Sequence, residues 1–535
     1  MLETQFTFID SIIVVVYLAG TVLLGFYVNR HIHNSAGYLV GGRAAGTALN
    51  TATFIGTELG LVTVMYTAME GFRAGFSYFV TPLIWGLVTL LIGITGIGVR
   101  RMRRLRLTTI PEYFERRYGR RVRITAGIIC FIAGVVNMCP FPKMGATFLV
   151  YATGYGGVEE VEVWVKLITT VLVLLVLAYT ILGGMVAVMV TDYIQFIVIG
   201  LGLALGLIYC LTQSELGWTS ITEGWYSARG EAAFNPIVAE DYGWTYICAQ
   251  ILVATAAMLC WSPNATRSLT SDSEATTRRT FILASTGAFS RFAVPGLWGV
   301  VAFIFLSLPT GPEGLAEYFS AESIAAHGER AATAMPVMLG KLIPTGMLGI
   351  LMAGLMAAFM STHDSYLLSF ATVGSQDVIS PLRSRPLTSQ ESIWVTRLLI
   401  LLIGVALIIV GIWVSLPDRL WPYLIITGSV WLSGATTCML GGMYWSGASS
   451  TGAMIGLLAG FIHMLALFVN PIQRQLAGWF GHLNAEGNID TAQVSYYVNN
   501  YSMMVASYLA VIVVFVVGSL LFPDRQSTTL TEGGD

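Results

Sequence analysis

From Ser11 to Leu521 the chain alternates long apolar runs with short polar segments. A bilayer-spanning helix needs about 20 mostly apolar residues. Runs of that kind at 8–29, 46–70, 76–99, 124–153, 162–182, 186–211, 244–263, 281–308, 344–371, 392–415, 419–446, 449–469 and 500–522 predict an all-α polytopic membrane protein with about 13 transmembrane helices. The polar positions inside these runs carry the information. Ser361-Thr362-His363-Asp364-Ser365 follows the apolar run Leu351 to Met360 and precedes Tyr366-Leu367-Leu368. Hydroxyls and a carboxylate are costly in hydrocarbon unless they serve an ion, a proton or a substrate, so the cluster marks a cation path. In the second run, Gly56-Thr57-Glu58-Leu59-Gly60 sets two glycines around a carboxylate. Glycine weakens a helix there and leaves backbone carbonyls free, as in the discontinuous helices that bind ions and solutes in secondary transporters.

Composition agrees, with 55% hydrophobic and 11% charged residues. The net charge of −2 says little about partners. Its distribution says more, because arginines crowd the loop from Arg100 to Arg123. Between two spanning helices such a cluster marks a cytoplasmic face, not a nucleic-acid site. Placing it inside puts Arg267, Arg278, Arg279, Arg383, Arg385 and Arg525 on the same side, and leaves Val158-Glu159-Glu160 and the acidic loops around Glu231 and Glu313 outside. The expectation is a multi-pass protein of the cell (inner or plasma) membrane, N-terminus outside and C-terminus cytoplasmic. Glu3 and Asp10 flank the first run and no small-residue cleavage site is evident, so it reads as a retained helix. After Phe522 only a short polar tail follows. The expected partners are the lipid bilayer and a small solute, with no nucleic acid and no protein partner evident. All six cysteines fall in apolar stretches without metal-ligand spacing and read as buried thiols.

On a helix Ser361 and Ser365 share a face, with Thr362 beside Ser361 and Ala358 one turn earlier. That face offers hydroxyls and a carbonyl, the hard oxygen ligands an alkali cation takes. Serine and threonine often back-bond harmlessly to their own helix, but three hydroxyls beside Asp364, opposite a broken helix, favour an ion site.

The stretch Ala358-Phe359-Met360-Ser361-Thr362-His363-Asp364-Ser365 resembles the signature helix of the sodium/solute symporter family. Tyr179 to Val188 with Thr191-Asp192 and Gln195 is similar to that family's tight helix-turn-helix with an intramembrane aspartate. Thr109-Ile110-Pro111-Glu112-Tyr113-Phe114 resembles its cytoplasmic loop, and Gly441-Gly442-Met443-Tyr444-Trp445 its late helix junction. The resemblance implies a leucine-transporter-type core of two inverted five-helix repeats (5+5). It would place an extra helix and cytoplasmic link at 1–45, the repeats at 46–211 and 244–446, an external loop at 212–243, two further helices at 447–522 and a cytoplasmic tail at 523–535. Ser262-Pro263 is a weaker sign of a matching break in the helix that opens the second repeat.

Carried over by position, the resemblance implies a main sodium site from backbone oxygens of Gly56, Leu59 and Ala358 and hydroxyls of Ser361 and Thr362. A second sodium site would use Asp192, Ser361 and Ser365, with Asp364 strengthening it or taking a proton. Na+ is then the coupling ion, with no organic cofactor. The solute is expected near Glu58, Thr63, Trp261 and Arg291, with Lys143, one of only three lysines in the chain, as a further candidate. Sugar-transporting relatives have an asparagine where Glu58 stands and another near Trp261; the departure here, with charges of both signs, favours an amino acid or carboxylate over a sugar. Alternatively Glu58 pairs with Lys143 or Arg291 and holds helices together without touching solute. His363 reads either as a proton carrier or as a residue facing a wet vestibule.

The function expected is sodium-coupled symport by alternating access. A proton-coupled carrier of the same fold, or a solute-sensing module, is the alternative. An enzyme is not expected, because Ser361, His363 and Asp364 lie at successive helix positions and cannot align as nucleophile, base and orienter.

Overall fold

A computed structural model describes residues 4–29, 35–155, 160–239, 242–307, 315–320, 330–414, 420–468 and 500–524. Val158, Glu159, Glu313, Arg525 and the tail from 525 onward, which the topology reading used, lie outside the described residues. The fold is all helical, and among the described residues eleven helices are long and apolar enough to cross a membrane. Two of the expected spans account for the difference from the sequence count. The 46–70 segment is split, and its second half continues through a 3-10 turn at Gly75–Phe79 into the next apolar helix. The 449–469 segment forms only a short apolar helix at Ser450–Leu465.

The split is where the glycines predicted a weak point. One helix runs Thr47–Glu58 and the next Leu61–Ala74. Leu59, at φ −91° and ψ 62°, leaves helical geometry, so its carbonyl points out of the helical ladder. Glycine at position 60 leaves room for the signature helix: a Cβ there would sit 2.3 Å from Thr362 Oγ1. A second break is present. The Gly243–Cys260 helix stops at Trp261, which is extended at φ −69° and ψ 122°, and Ser262–Thr270 resumes helical with Pro263 in its first turn.

Around these broken helices pack the signature helix Met347–Val373, the 52-residue Val161–Thr212 segment, kinked at Gly184 (φ +50°), and Glu274–Ser307. The signature helix is almost wholly enclosed, its spanning window 89% buried, whereas the Ser389–Trp413 window is 33% buried. The enclosed helix can therefore carry polar side chains, because its neighbours and not lipid surround them.

The basic loops meet at one end of the molecule. Arg103 donates to Asp272 O, Arg104 pairs with Glu274, Arg120 reaches Arg383 O, and Arg123 pairs with Glu115 and Asp377. Arg267 is a correction to that group. The sequence placed it among loop arginines, but the resumed helix carries it into the interior, where it is 1% exposed. Four of the cysteines are buried as expected; Cys139 is half-buried and Cys248 is exposed on the outer side of the Gly243–Cys260 helix.

Candidate functional site

The first break and the signature helix face one another. Ser361 Oγ donates to Gly56 O at 2.9 Å and lies 3.3 Å from Ala358 O; Thr362 Oγ1 donates to Thr57 O at 2.8 Å. Gly56, Ala358 and Ser361 of the expected main sodium set thus converge, Thr362 stands beside them, and Leu59 supplies the non-helical carbonyl at the break. Every donor is a neutral, hard oxygen, which fits Na+. A main-chain carbonyl with its own helical partner still has a second lone pair, so these oxygens can turn to an ion without undoing the helix.

The residues expected at the second sodium site do not converge on one point. Ser361 belongs to the cluster above. Asp364 Oδ2 accepts from Tyr179 OH at 3.0 Å. Asp192 and Ser365 meet instead at Arg267, whose Nη2 lies 3.3 Å from Asp192 Oδ2 and 2.9 Å from Ser365 Oγ and also donates to Thr57 Oγ1. Thr57 Oγ1 in turn donates to Asp192 Oδ2 at 3.1 Å. Sequence reasoning missed Arg267, and its signal was present: an arginine six residues after the second break, within one helical segment of Trp261.

On the other side of Thr57 and Thr362 lies a cavity whose wall combines aromatic and apolar side chains with a few polar and charged groups, the make-up of a small-molecule site. Four of the five expected solute residues line it: Glu58, Thr63, Trp261 and Arg291. Arg291 forms an ion pair with the Glu58 carboxylate, and its guanidinium stacks 4.8 Å from the Trp85 ring centre and 4.4 Å from that of Phe292. Both charges are buried, which is tolerable only because they are paired. Thr63 Oγ1 bridges the break to Glu58 O at 3.3 Å, and Trp261 Nε1 donates to Tyr366 OH at 2.9 Å. The fifth residue, Lys143, stands apart. Its Nζ donates to Val414 O at 2.8 Å, and it is not among the residues that line the cavity.

The cavity wall also holds residues that sequence reasoning passed over. Asn264 Nδ2 caps Ala257 O at 3.2 Å, and its Oδ1 has no hydrogen-bond partner. Asn137, Tyr66, Trp85 and Trp421 complete that wall, with Tyr66 stacked on Trp421 at 4.7 Å. An amide therefore does stand near Trp261, contrary to the expected departure from sugar-transporting relatives. His363 faces no vestibule. It is buried, its Nδ1 lies 2.7 Å from Phe359 O, and its ring stacks on Phe359 with Phe141 at its edge. Two residues beyond Ser361 on a helix, it points to the opposite side.

Two discontinuous helices, a cluster of hard oxygens at the first break and a charged, aromatic cavity alongside define a class: a polytopic membrane carrier that binds ion and solute at mid-membrane. Residues 38–460 match the model of the sodium:solute symporter family, and the chain belongs to that family. It is a multi-pass sodium-coupled solute symporter, a transporter and not an enzyme, and the family's coupling ion is Na+. The chain is similar to a sodium/mannose cotransporter of Bos taurus, 25% identical over 98% of this chain and 89% of the relative. It is also similar to a sodium/sialic acid symporter of Proteus mirabilis, 22% identical over 86% of this chain and 90% of the relative. The fold matches the substrate-bound, outward-open structure of a Na+-coupled sialic acid symporter at a TM-score of 0.78, with 18% identity over 98% of this chain and 100% of that one. The fold is thus of the leucine-transporter type.

Proposed function

We propose that the cavity takes a small carboxylate-bearing solute and that Na+ binds beside it among Gly56, Leu59, Ala358, Ser361 and Thr362. The observation that carries this reading is the Arg291–Glu58 pair in a cavity wall that also contains Thr57 and Thr362. A solute carboxylate replaces Glu58 on Arg291, and a solute ammonium or hydroxyl takes up the freed Glu58 carboxylate. With an ammonium as the second solute group, exchanging partners in this way keeps each buried charge compensated throughout binding. Thr362 ties the cavity to the ion, since it lines the cavity and its hydroxyl donates to Thr57 O on the helix before the break. Ion and solute then stabilise the same closed arrangement, and the coupling is reciprocal. One Na+ entering down about 100 mV supplies about 2.3 kcal/mol before any concentration gradient is counted.

A sugar-like body is the second reading. Asn264 offers a free amide oxygen, and the aromatic wall suits a ring; a carboxylated sugar would satisfy both it and Arg291. The gathered arginine loops support an orientation with that end in the cytoplasm and the N-terminus outside.

Uptake by proteoliposomes tests the proposal, using a panel of amino acids, carboxylates, carboxylated sugars and neutral sugars under an inward Na+ gradient, a K+ gradient or a pH gradient. Na+-driven accumulation confined to carboxylate-bearing solutes is expected. Accumulation of neutral sugars alone would contradict the solute class, a response to pH that ignores Na+ would point to a proton-coupled carrier, and binding without accumulation would point to a sensor.

A further inference from the structure

We infer that Arg267 is a tethered cation that fills the second cation position, so that this chain binds a single Na+. The inference rests on the sodium reading above and adds the number of ions. The guanidinium is wholly enclosed, and its Nη2 engages Asp192 Oδ2, Ser365 Oγ and Thr57 Oγ1 at once. Ser365 Oγ and Thr57 Oγ1 are themselves only 2.9 Å apart, so the three acceptors form one compact cradle. A hard cation held there would need the same lone pairs at ligand distance, and it and the guanidinium cannot both have them.

Arg267 also has little freedom to leave. Its Nη1 rests against Met185 Sδ at 3.8 Å, its Nε has no hydrogen-bond partner, and every other resident of the segment Ser262–Thr270 is buried. Withdrawing it would strand a buried charge on each side. The remaining carboxylate nearby, Asp364, is turned to Tyr179. A permanent arginine differs from a second Na+ in one functional respect: it compensates Asp192 but does not cross the membrane, so it adds nothing to the driving force.

The test counts ions on purified full-length protein with 22Na+ alone, by scintillation proximity, which needs no knowledge of the solute. The wild type is expected to bind one Na+ per chain with a Hill slope near one. Arg267→Gln should gain a second Na+ and a steeper slope, while Arg267→Lys, which keeps the charge, should stay at one. Two Na+ on the wild type, or one Na+ on a folded Arg267→Gln, would overturn the inference. If Arg267→Gln does not fold, the wild-type count decides alone. A wild type that binds no Na+ would overturn the underlying sodium reading as well, and is thereby distinct from a wild type that binds two.

Discussion

Two polar clusters lie one helical turn apart on the signature helix, and in the proposed reading they meet a cation in opposite ways. At Ser361 and Thr362 the oxygens are neutral and meet carbonyls at the end of a broken helix, so the cation proposed there would come from outside. At Ser365 the partner is a carboxylate, Asp192, and the compensating charge comes from the protein itself through Arg267. The first arrangement is built for exchange and the second for permanence. Similar residue types thus take different roles according to whether a fixed charge lies within reach.

Breaking the permanent pair should give the largest effect. Asp192→Asn leaves a buried guanidinium without its carboxylate, a loss of about 3–5 kcal/mol, and should lower the thermal transition strongly in Na+ and in K+ alike. The double change Asp192→Asn with Arg267→Gln should recover much of that loss. At the exchangeable position the pattern reverses: Ser361→Ala or Thr362→Ala should weaken Na+ affinity by about tenfold or more while leaving stability in Na+-free buffer close to wild type, as 22Na+ binding and thermal unfolding would report. Gly60→Ala should act more mildly, since its methyl would push the Thr362 hydroxyl aside; a fall in Na+ affinity of roughly threefold to tenfold is expected. The smallest effect belongs to Lys143→Ala, which should leave solute uptake within about twofold, because that side chain serves Val414 O and not the cavity.

The meeting of Ser361 and Thr362 with Gly56 and Thr57 was legible in the sequence because both halves are short, contiguous polar insertions in apolar runs, Gly56 to Gly60 and Ser361 to Ser365. Polar atoms inside a membrane helix need a reason, and here the reason was local. The Glu58–Arg291 pair was legible as one of the stated alternatives for the same cause. Arg267 was not, since charge counting assigns an arginine near a span end to the loop, and only the break at Trp261 returns the chain to the interior. Lys143 misled in the opposite direction: it lies in an apolar span, but its side chain donates to Val414 O and does not line the cavity. The aromatic wall of Tyr66, Trp85 and Trp421 gave no sequence signal of its own, because aromatic residues are common in membrane proteins and only tertiary packing brings these three together.

In the proposed mechanism the broken helix and the signature helix hold the coupling ion between them. A titration of thermal stability with Na+ and with K+, on wild type and Thr362→Ala, tests it most directly. Stabilisation of the wild type by Na+ and not K+, with the Thr362→Ala curve displaced to about tenfold higher Na+, is the predicted result. Equal stabilisation by both cations, or overlapping Na+ curves for the two proteins, would contradict it.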